Sequence, residues 1–153
     1  MKNEFARTRD EVTAWFFDDY VPTWVAVGAG QHAGDPDFIL KYWSAPLHVC
    51  STEVNAWFPD GKSVVDLLEF AHRPLKEGGY THTVIPDRRV DVYHDNGAAI
   101  EVIWSRRRAD ESEIERMATH FELARTGDSW RIVGIQVIRT TLDRLNDVWP
   151  RTA

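Results

Sequence analysis

The sequence is poor in cysteine, in long apolar runs and in positive charge, and each shortage excludes a class of protein. The single cysteine, Cys50, cannot form an intrachain disulfide, which favours a reducing, cytoplasmic location. No apolar run approaches the roughly 18 residues of a membrane span, and charges spread over residues 1–30 argue against a signal peptide. A net charge of −6 disfavours nucleic acids and anionic membranes as partners, because both attract basic surfaces.

Signatures of metal and cofactor chemistry are missing as well. No two histidines or acids stand at the spacing of metal ligands, and the chain has neither a phosphate-cradling glycine loop nor a Gly-x-Ser-x-Gly elbow. No local group would activate the thiol of Cys50, so we interpret it as a small buried residue. We therefore expect a protein without a metal and without a cofactor.

What the sequence does contain is a globular composition rich in large rings. Its 153 residues, 43% hydrophobic and 27% charged, suit one domain over residues 1–153, with a core at 5–141 and a tail at 142–153. Seven Trp and seven Phe supply apolar area to bury, and such rings also line pockets for flat organic ligands.

Helical signals fill the first half of the chain. Apolar residues at three- and four-residue steps predict a helix over residues 3–30, which Pro22 should kink or divide. A second, short helix is predicted to begin at Asp35-Pro36 and to run through Trp43. A third helix follows a capping box formed by Ser63 and Asp66, and glycines close it. On this helix His72 is predicted to lie off the apolar stripe.

Strand signals fill the second half, where the apolar period changes to two. The predicted strands are 46–52, 53–58, 80–94, 98–108, 113–125 and 130–141. Turn-forming residues connect the last four as an antiparallel meander. The tail adds a helical turn that buries Leu145, Val148 and Trp149. Helices followed by a meander predict an α+β fold.

Counting residues outward from the turns predicts the register of the meander. The turn at 109–112 places Trp104 opposite Met117, and the turn at 126–129 places Thr119 opposite Gln136. One face then carries nine apolar residues and must pack under the helices: Ile100, Val102, Trp104, Met117, Phe121, Leu123, Trp130, Ile132 and Ile138. Thr119 and Gln136 form a polar pair within this face.

The opposite face mixes charged and apolar residues, which suits a wet surface or a self-associating interface. Its most notable pair is Glu101 opposite His120. We interpret this pair as part of a surface or interface in preference to a catalytic dyad.

The element order and several short motifs resemble a known superfamily. A long first helix, a short helix ending in "YWSAPLHV", a third helix and a meander closing in "ATHFELARTGDSWRIVGIQV" are similar to nuclear-transport-factor-2-like proteins, including the SnoaL-like and ketosteroid-isomerase-like groups. The stretch "DNGAAIEVIWSRRRADESEIER" resembles their third and fourth strands. The resemblance covers residues 5–141. It implies a cystatin-like fold, in which a cone-shaped, curved antiparallel sheet wraps on N-terminal helices. It also implies a cavity at the wide end and a homodimer through the outer sheet face.

The resemblance also suggests site residues. The dehydratase members match this chain at His82, in "GYTHTVIP", whose facing depends on a bulge near Pro86 and on the turn at 95–97. The catalytic carboxylate of the isomerases has no clear equivalent, because Glu53 is displaced from the matching position. Their aromatic hydroxyl corresponds to Tyr20, which also fits the apolar stripe of the first helix.

Two hypotheses of function remain open from the sequence. In the first, the chain binds a hydrophobic cyclic or carbonyl compound and acts by cofactor-free acid–base chemistry, with His82 as proton shuttle and Glu53 or Asp19 as orienting acid. The predicted pocket residues are Trp15, Tyr20, Trp43, Trp57, Trp104, Thr119 and Gln136. In the second, the chain is a non-catalytic homodimeric module that binds a ligand or a partner.

Overall fold

Helices and one sheet make up the computed structural model, which describes residues 3–31 and 35–151. The helical elements are α1 (Glu4–Ala14), a π-helical segment (Trp15–Tyr20), α2 (Val21–Gly28), a 3-10 segment (Pro36–Lys41), α3 (Gly61–Glu77) and α4 (Leu145–Val148). The strands are β1 (Trp43–Cys50), β2 (Asn55–Phe58), β3 (Tyr80–His94), β4 (Gly97–Arg108), β5 (Glu113–Thr126) and β6 (Ser129–Arg139). Within the described residues, no helix is both long enough and apolar enough to span a bilayer.

The strands form a six-stranded, curved and unclosed sheet in the order β2-β1-β6-β5-β4-β3. Neighbouring strands are antiparallel except β1 and β6, which run parallel. Helices α1, α2 and α3 cover one face, here called the inner face, against which the main core packs. The opposite, outer face carries α4, whose Leu145 packs on Ile103 and Ala118. The predicted α+β fold and the helical turn of the tail are both confirmed.

The first helix is divided in the neighbourhood of Pro22, as predicted. Proline has no N–H to donate, and the helix widens into π-helical turns just before it. The N–H of Val21 accordingly donates to the carbonyl of Phe16, five residues earlier. The wider turns place Phe16 and Tyr20 in the core.

The second and third helices begin or end at different residues from those predicted. Trp43 starts β1 and does not lie in a helix, because the N–H of Ile132 donates to the carbonyl of Tyr42 and draws this segment alongside β6. The N-cap of α3 is Asp60, whose side chain accepts from the N–H of Ser63 at 2.9 Å. Ser63 is therefore the N3 residue of the capping box and not its N-cap.

A bulge in β6 changes the predicted register halfway along the strand. Leu123 lies opposite Ile132 as expected, but Glu122 lies opposite Gly134, which leaves Val133 as an extra residue. The prediction that Gln136 lies opposite Thr119 on the buried face is therefore wrong. Gln136 pairs with His120 and is exposed, since a shift of one residue exchanges the two faces. For the same reason Ile138, also predicted on the buried face, pairs with Ala118 and lies on the outer face.

Bulges in β3 decide the facing of His82. The pairs Tyr80–Arg108 and His82–Arg107 leave Thr81 unpaired, and a second irregularity falls at Ile85-Pro86. As a result, His82 lies beside Arg107 on the outer side. The facing that the sequence left open is thus set by the irregularity at Ile85-Pro86, because the unpaired Thr81 lies beyond His82 and reorients only Tyr80.

His72 is buried between α2 and α3, and the prediction that it lies off the apolar stripe is wrong. Its ring packs edge-on against Trp24 at 4.3 Å, and only 2% of the residue is exposed. Its Nε2 atom has no hydrogen-bond partner, and Gly28 lets the ring approach because a Cβ there would lie 3.0 Å from Nε2. Burial, together with the positive charges of Lys76 and Arg106, lowers the pKa of His72 to about 4.

We predict that His72 makes the fold sensitive to mild acid. The unfolded chain binds a proton at this ring near pH 6.5 and the folded chain only near pH 4, so stability falls as pH drops between these values. The loss attributable to His72 should reach about 2 kcal/mol by pH 5. Urea unfolding of wild type and His72→Leu from pH 7 to pH 4 measures the difference. His94→Leu, which changes an exposed histidine, should behave like wild type; an identical acid profile for His72→Leu would contradict the prediction.

Candidate functional site

Aromatic side chains fill the space between the helices and the inner face of the sheet. Phe16 stands at the centre, with its ring 5.0 Å from that of Phe121 and 5.1 Å from that of Tyr20. Tyr20 also accepts a hydrogen bond of 3.0 Å from the indole N–H of Trp43. Burial raises the pKa of the Tyr20 hydroxyl far above its usual value, so this group stays protonated. The cluster acts as core in this structure.

Arg106 lies on the inner face, between β4 and α2. Although charged, this residue is only 8% exposed. Its guanidinium carbon lies 4.1 Å from the ring centre of Trp24 and 4.5 Å from that of Trp104. The Nη1 group donates to the hydroxyl of Thr83 at 2.8 Å. Arg106 was not among the site residues predicted from the sequence.

The space left beside Arg106 is small. A cavity of about 10 Å³ lies between α2 and β4, with Trp24 and Trp104 among its walls. Such a volume admits roughly one water-sized particle. A flat organic ligand therefore has no room in this part of the interior as the side chains stand.

The predicted pocket residues fall into two groups. Trp15, Tyr20, Trp43 and Trp104 belong to or pack against the inner cluster, and Thr119 is buried. Trp57 does not join them, since 67% of it is exposed and its ring lies 4.8 Å from that of His48. Gln136 lies on the outer face for the reason given above.

The three predicted catalytic residues do not lie together. His82 bonds to Glu111 in the hairpin loop, with 2.9 Å between Nε2 and Oε1. Glu53 is exposed in the turn between β1 and β2. Asp19 accepts a 2.8 Å hydrogen bond from the hydroxyl of Tyr42 on the helical side. Their catalytic roles remain predictions, and the structure does not bring the three into one cluster.

A second group of polar residues, centred on Glu101, lies on the outer face. Its carboxylate accepts a hydrogen bond from Arg89 and lies 2.8 Å from Nδ1 of His120. Arg89 also donates to the side chain of Asn146 at 3.0 Å, which ties the tail to the sheet. The Glu101 side chain is only 13% exposed, so this is a largely desolvated ion pair. The predicted pairing of Glu101 with His120 is confirmed.

A groove of about 410 Å³ runs across the outer face above this pair. The turn after β1 forms one wall with Ser51 and Thr52, and Trp149 of the tail forms the other. The remaining lining residues lie on the sheet between these walls: Glu101, His120, Gln136, Val137 and Ile138. Within the described residues, no group of three or more His, Cys, Asp or Glu could hold a metal ion.

Comparison with protein families identifies the class to which this fold belongs. The sequence matches the family described as NTF2-like protein (DUF6841) over residues 10–140. The chain therefore belongs to this NTF2-like family, which confirms the superfamily predicted from the element order. A comparison with curated proteins gave no match.

Solved structures show the same fold at low sequence identity. An NTF2-like protein with a cystatin-like fold from Novosphingobium aromaticivorans has a TM-score of 0.60 at 14% identity, covering 94% of this chain and 90% of that one. A candidate ketosteroid isomerase from Parabacteroides distasonis has a TM-score of 0.56 at 10% identity, covering 79% and 86%. The yeast UBP3-associated protein BRE5 has a TM-score of 0.57 at 8% identity, covering 82% and 97%. These similarities establish the fold and no particular activity.

We predict that Glu101 stabilises the fold much more than a surface carboxylate does. Changing Glu101 to alanine leaves Arg89 largely desolvated without its main partner, which should cost about 2 kcal/mol of unfolding free energy. Glu111→Ala removes the exposed partner of His82 and Arg107 and should leave stability almost unchanged. Urea unfolding at pH 7 measures both variants. Equal losses in the two would show that the outer-face pair has no special structural role.

Proposed function

We propose that this chain is a non-catalytic NTF2-like module that associates with a second copy of itself through the outer face of the sheet. The observation that carries the proposal is the groove between the tail and the turn after β1. It lies on the one sheet face that the N-terminal helices leave uncovered. The space beside Arg106, between α2 and β4, is by contrast only about 10 Å³.

The outer face has the features of a self-complementary interface. Trp149 and the adjoining α4 form a ridge beside the groove, so a two-fold axis could seat the ridge of each copy in the groove of the other. Ile138 and Tyr93 supply exposed apolar area, with 36% and 50% of their surfaces exposed. Charges of both signs, such as Glu122 and Arg151, surround this area, which allows the two copies to pair them across the axis.

The catalytic hypothesis has less support. It required a proton shuttle and an orienting acid in one cavity, but His82, Glu53 and Asp19 occupy three separate places. One similar structure, the UBP3-associated protein BRE5, bears a name that describes association with another protein. In the present chain, the proposed partner is a second copy of the same chain.

We predict that a charge placed in the groove dissociates the dimer. Sedimentation equilibrium of the wild type should give twice the 17.6 kDa chain mass. Ile138→Arg would desolvate a new charge at the interface and raise the dissociation constant at least about tenfold, which corresponds to about 1.4 kcal/mol.

The matched control is Phe70→Arg, which changes a residue 68% exposed on α3, on the opposite side of the sheet. This variant should remain dimeric, and far-ultraviolet circular dichroism should show that both variants are folded. A wild type of single-chain mass at high concentration, or an Ile138→Arg variant that dimerises as tightly as the wild type, would refute the proposal.

A further inference from the structure

Two exposed aromatic rings stand at opposite edges of the outer face. Trp57 lies on the edge strand β2 and Tyr93 on the edge strand β3, with 67% and 50% of their surfaces exposed. Trp57 points outward, because the next residue, Phe58, packs against the main core. Tyr93 leans inward over the outer face, since its hydroxyl donates to the side chain of Glu122 on β5 at 3.3 Å. Large exposed rings on one sheet face mark a surface for a partner.

One row of paired residues connects the two edges. It crosses all six strands from β2 to β3 and consists of Trp57, His48, Gly134, Glu122, Ala99 and Asp91. Tyr93 follows two residues after the end of this row. Five intervals of about 4.8 Å between strands make the row about 24 Å long. Its midpoint falls between Gly134 on β6 and Glu122 on β5.

The groove and the ridge of the outer face lie on either side of the same midline. The turn after β1 walls the groove beyond β6, whereas Trp149 packs with Ile103 of β4 and Ala118 of β5. A two-fold axis that lies in the interface, along the strands and between β5 and β6, exchanges the groove with the ridge. The same axis exchanges the position of Trp57 with that of Tyr93. Two separate features therefore point to one axis.

Gly134 is a third feature, and it lies beside this axis. Its backbone is outside the left-handed region, and an added Cβ would meet only ordinary contacts, at 3.7 Å from the Cβ of Glu122 and 3.9 Å from the carbonyl oxygen of His48. Packing within one chain thus does not require glycine here, although glycine weakens the interior of a strand. The axis places Glu122 of the second copy over this position, where the missing side chain leaves space for it.

We propose that Trp57 of each copy packs against Tyr93 of the other, so that two aromatic pairs flank the two-fold axis. This inference rests on the proposed self-association and adds the orientation of the two copies. The contact would remove both exposed rings from water, and tryptophan and tyrosine are among the residues that contribute most to interface affinity.

Mixed cysteine variants test the orientation. In a Cys50→Ser background, which removes the single native thiol, an equimolar mixture of Trp57→Cys and Tyr93→Cys should form a covalent dimer with a short bifunctional maleimide. Neither variant should do so alone, because the axis keeps identical edges of the two copies about 24 Å apart. The mixed dimer also retains one intact Trp57–Tyr93 pair. Trp57→Cys mixed with Phe70→Cys, a change on the helical side, is the control and should give no covalent dimer.

Dimer affinity measures the strength of the contact. Trp57→Ala should raise the dissociation constant about tenfold in sedimentation equilibrium, whereas Phe70→Ala should leave it unchanged. An unchanged dissociation constant in Trp57→Ala, or a covalent dimer from Trp57→Cys alone, would overturn the contact. So would a mixture that does not cross-link while Ile138→Arg still dissociates the dimer, a result that leaves the association itself standing. A wild type of single-chain mass would refute the association and this contact with it.

Discussion

The guanidinium of Arg106 is the group on which the inner half of this molecule depends. It comes from β4, bonds to Thr83 of β3 and lies over the ring of Trp24 from α2, so it joins three elements. Hydrophobic burial alone would favour an apolar side chain at this position between β4 and α2. A buried arginine instead contributes cation–π contacts and hydrogen bonds, but burial of its charge carries a desolvation cost. The space beside it, between α2 and β4, is only about 10 Å³.

The sheet face that the N-terminal helices leave uncovered is the basis of the proposed association. The tail covers Ile103 and Ala118 there, and its attachment depends on polar contacts such as that of Arg89 with Asn146. Between the tail and the turn after β1 the sheet stays open, and the Glu101–His120 pair lies at the base of this groove. An outer face with a ridge, a groove and charges of both signs is suited to association of two copies.

Most elements of the fold followed from local patterns, and the errors have identifiable causes. Turn residues and the period of two gave the four long strands to within a few residues, because both signals are local. Trp43 was misplaced because its strand exists only through a parallel neighbour, β6, that is remote in sequence. His72 was misjudged because helical periodicity does not reveal that Gly28 of another helix leaves space for its ring. Arg106 carried no signal as a site residue, since a basic run next to acidic residues ordinarily indicates surface ion pairs.

The sequence by itself determined the α+β class, the ring-rich inner face and the pairing of Glu101 with His120, because composition, turn chemistry and residue parity are properties of neighbouring residues. Tertiary structure alone decided which way His82 and Gln136 point. Each lies beyond a bulge, and a single inserted residue exchanges the two faces of a strand for everything that follows it. Bulges form where the curved sheet must bend to fit its helices, and that fit is a property of the whole molecule.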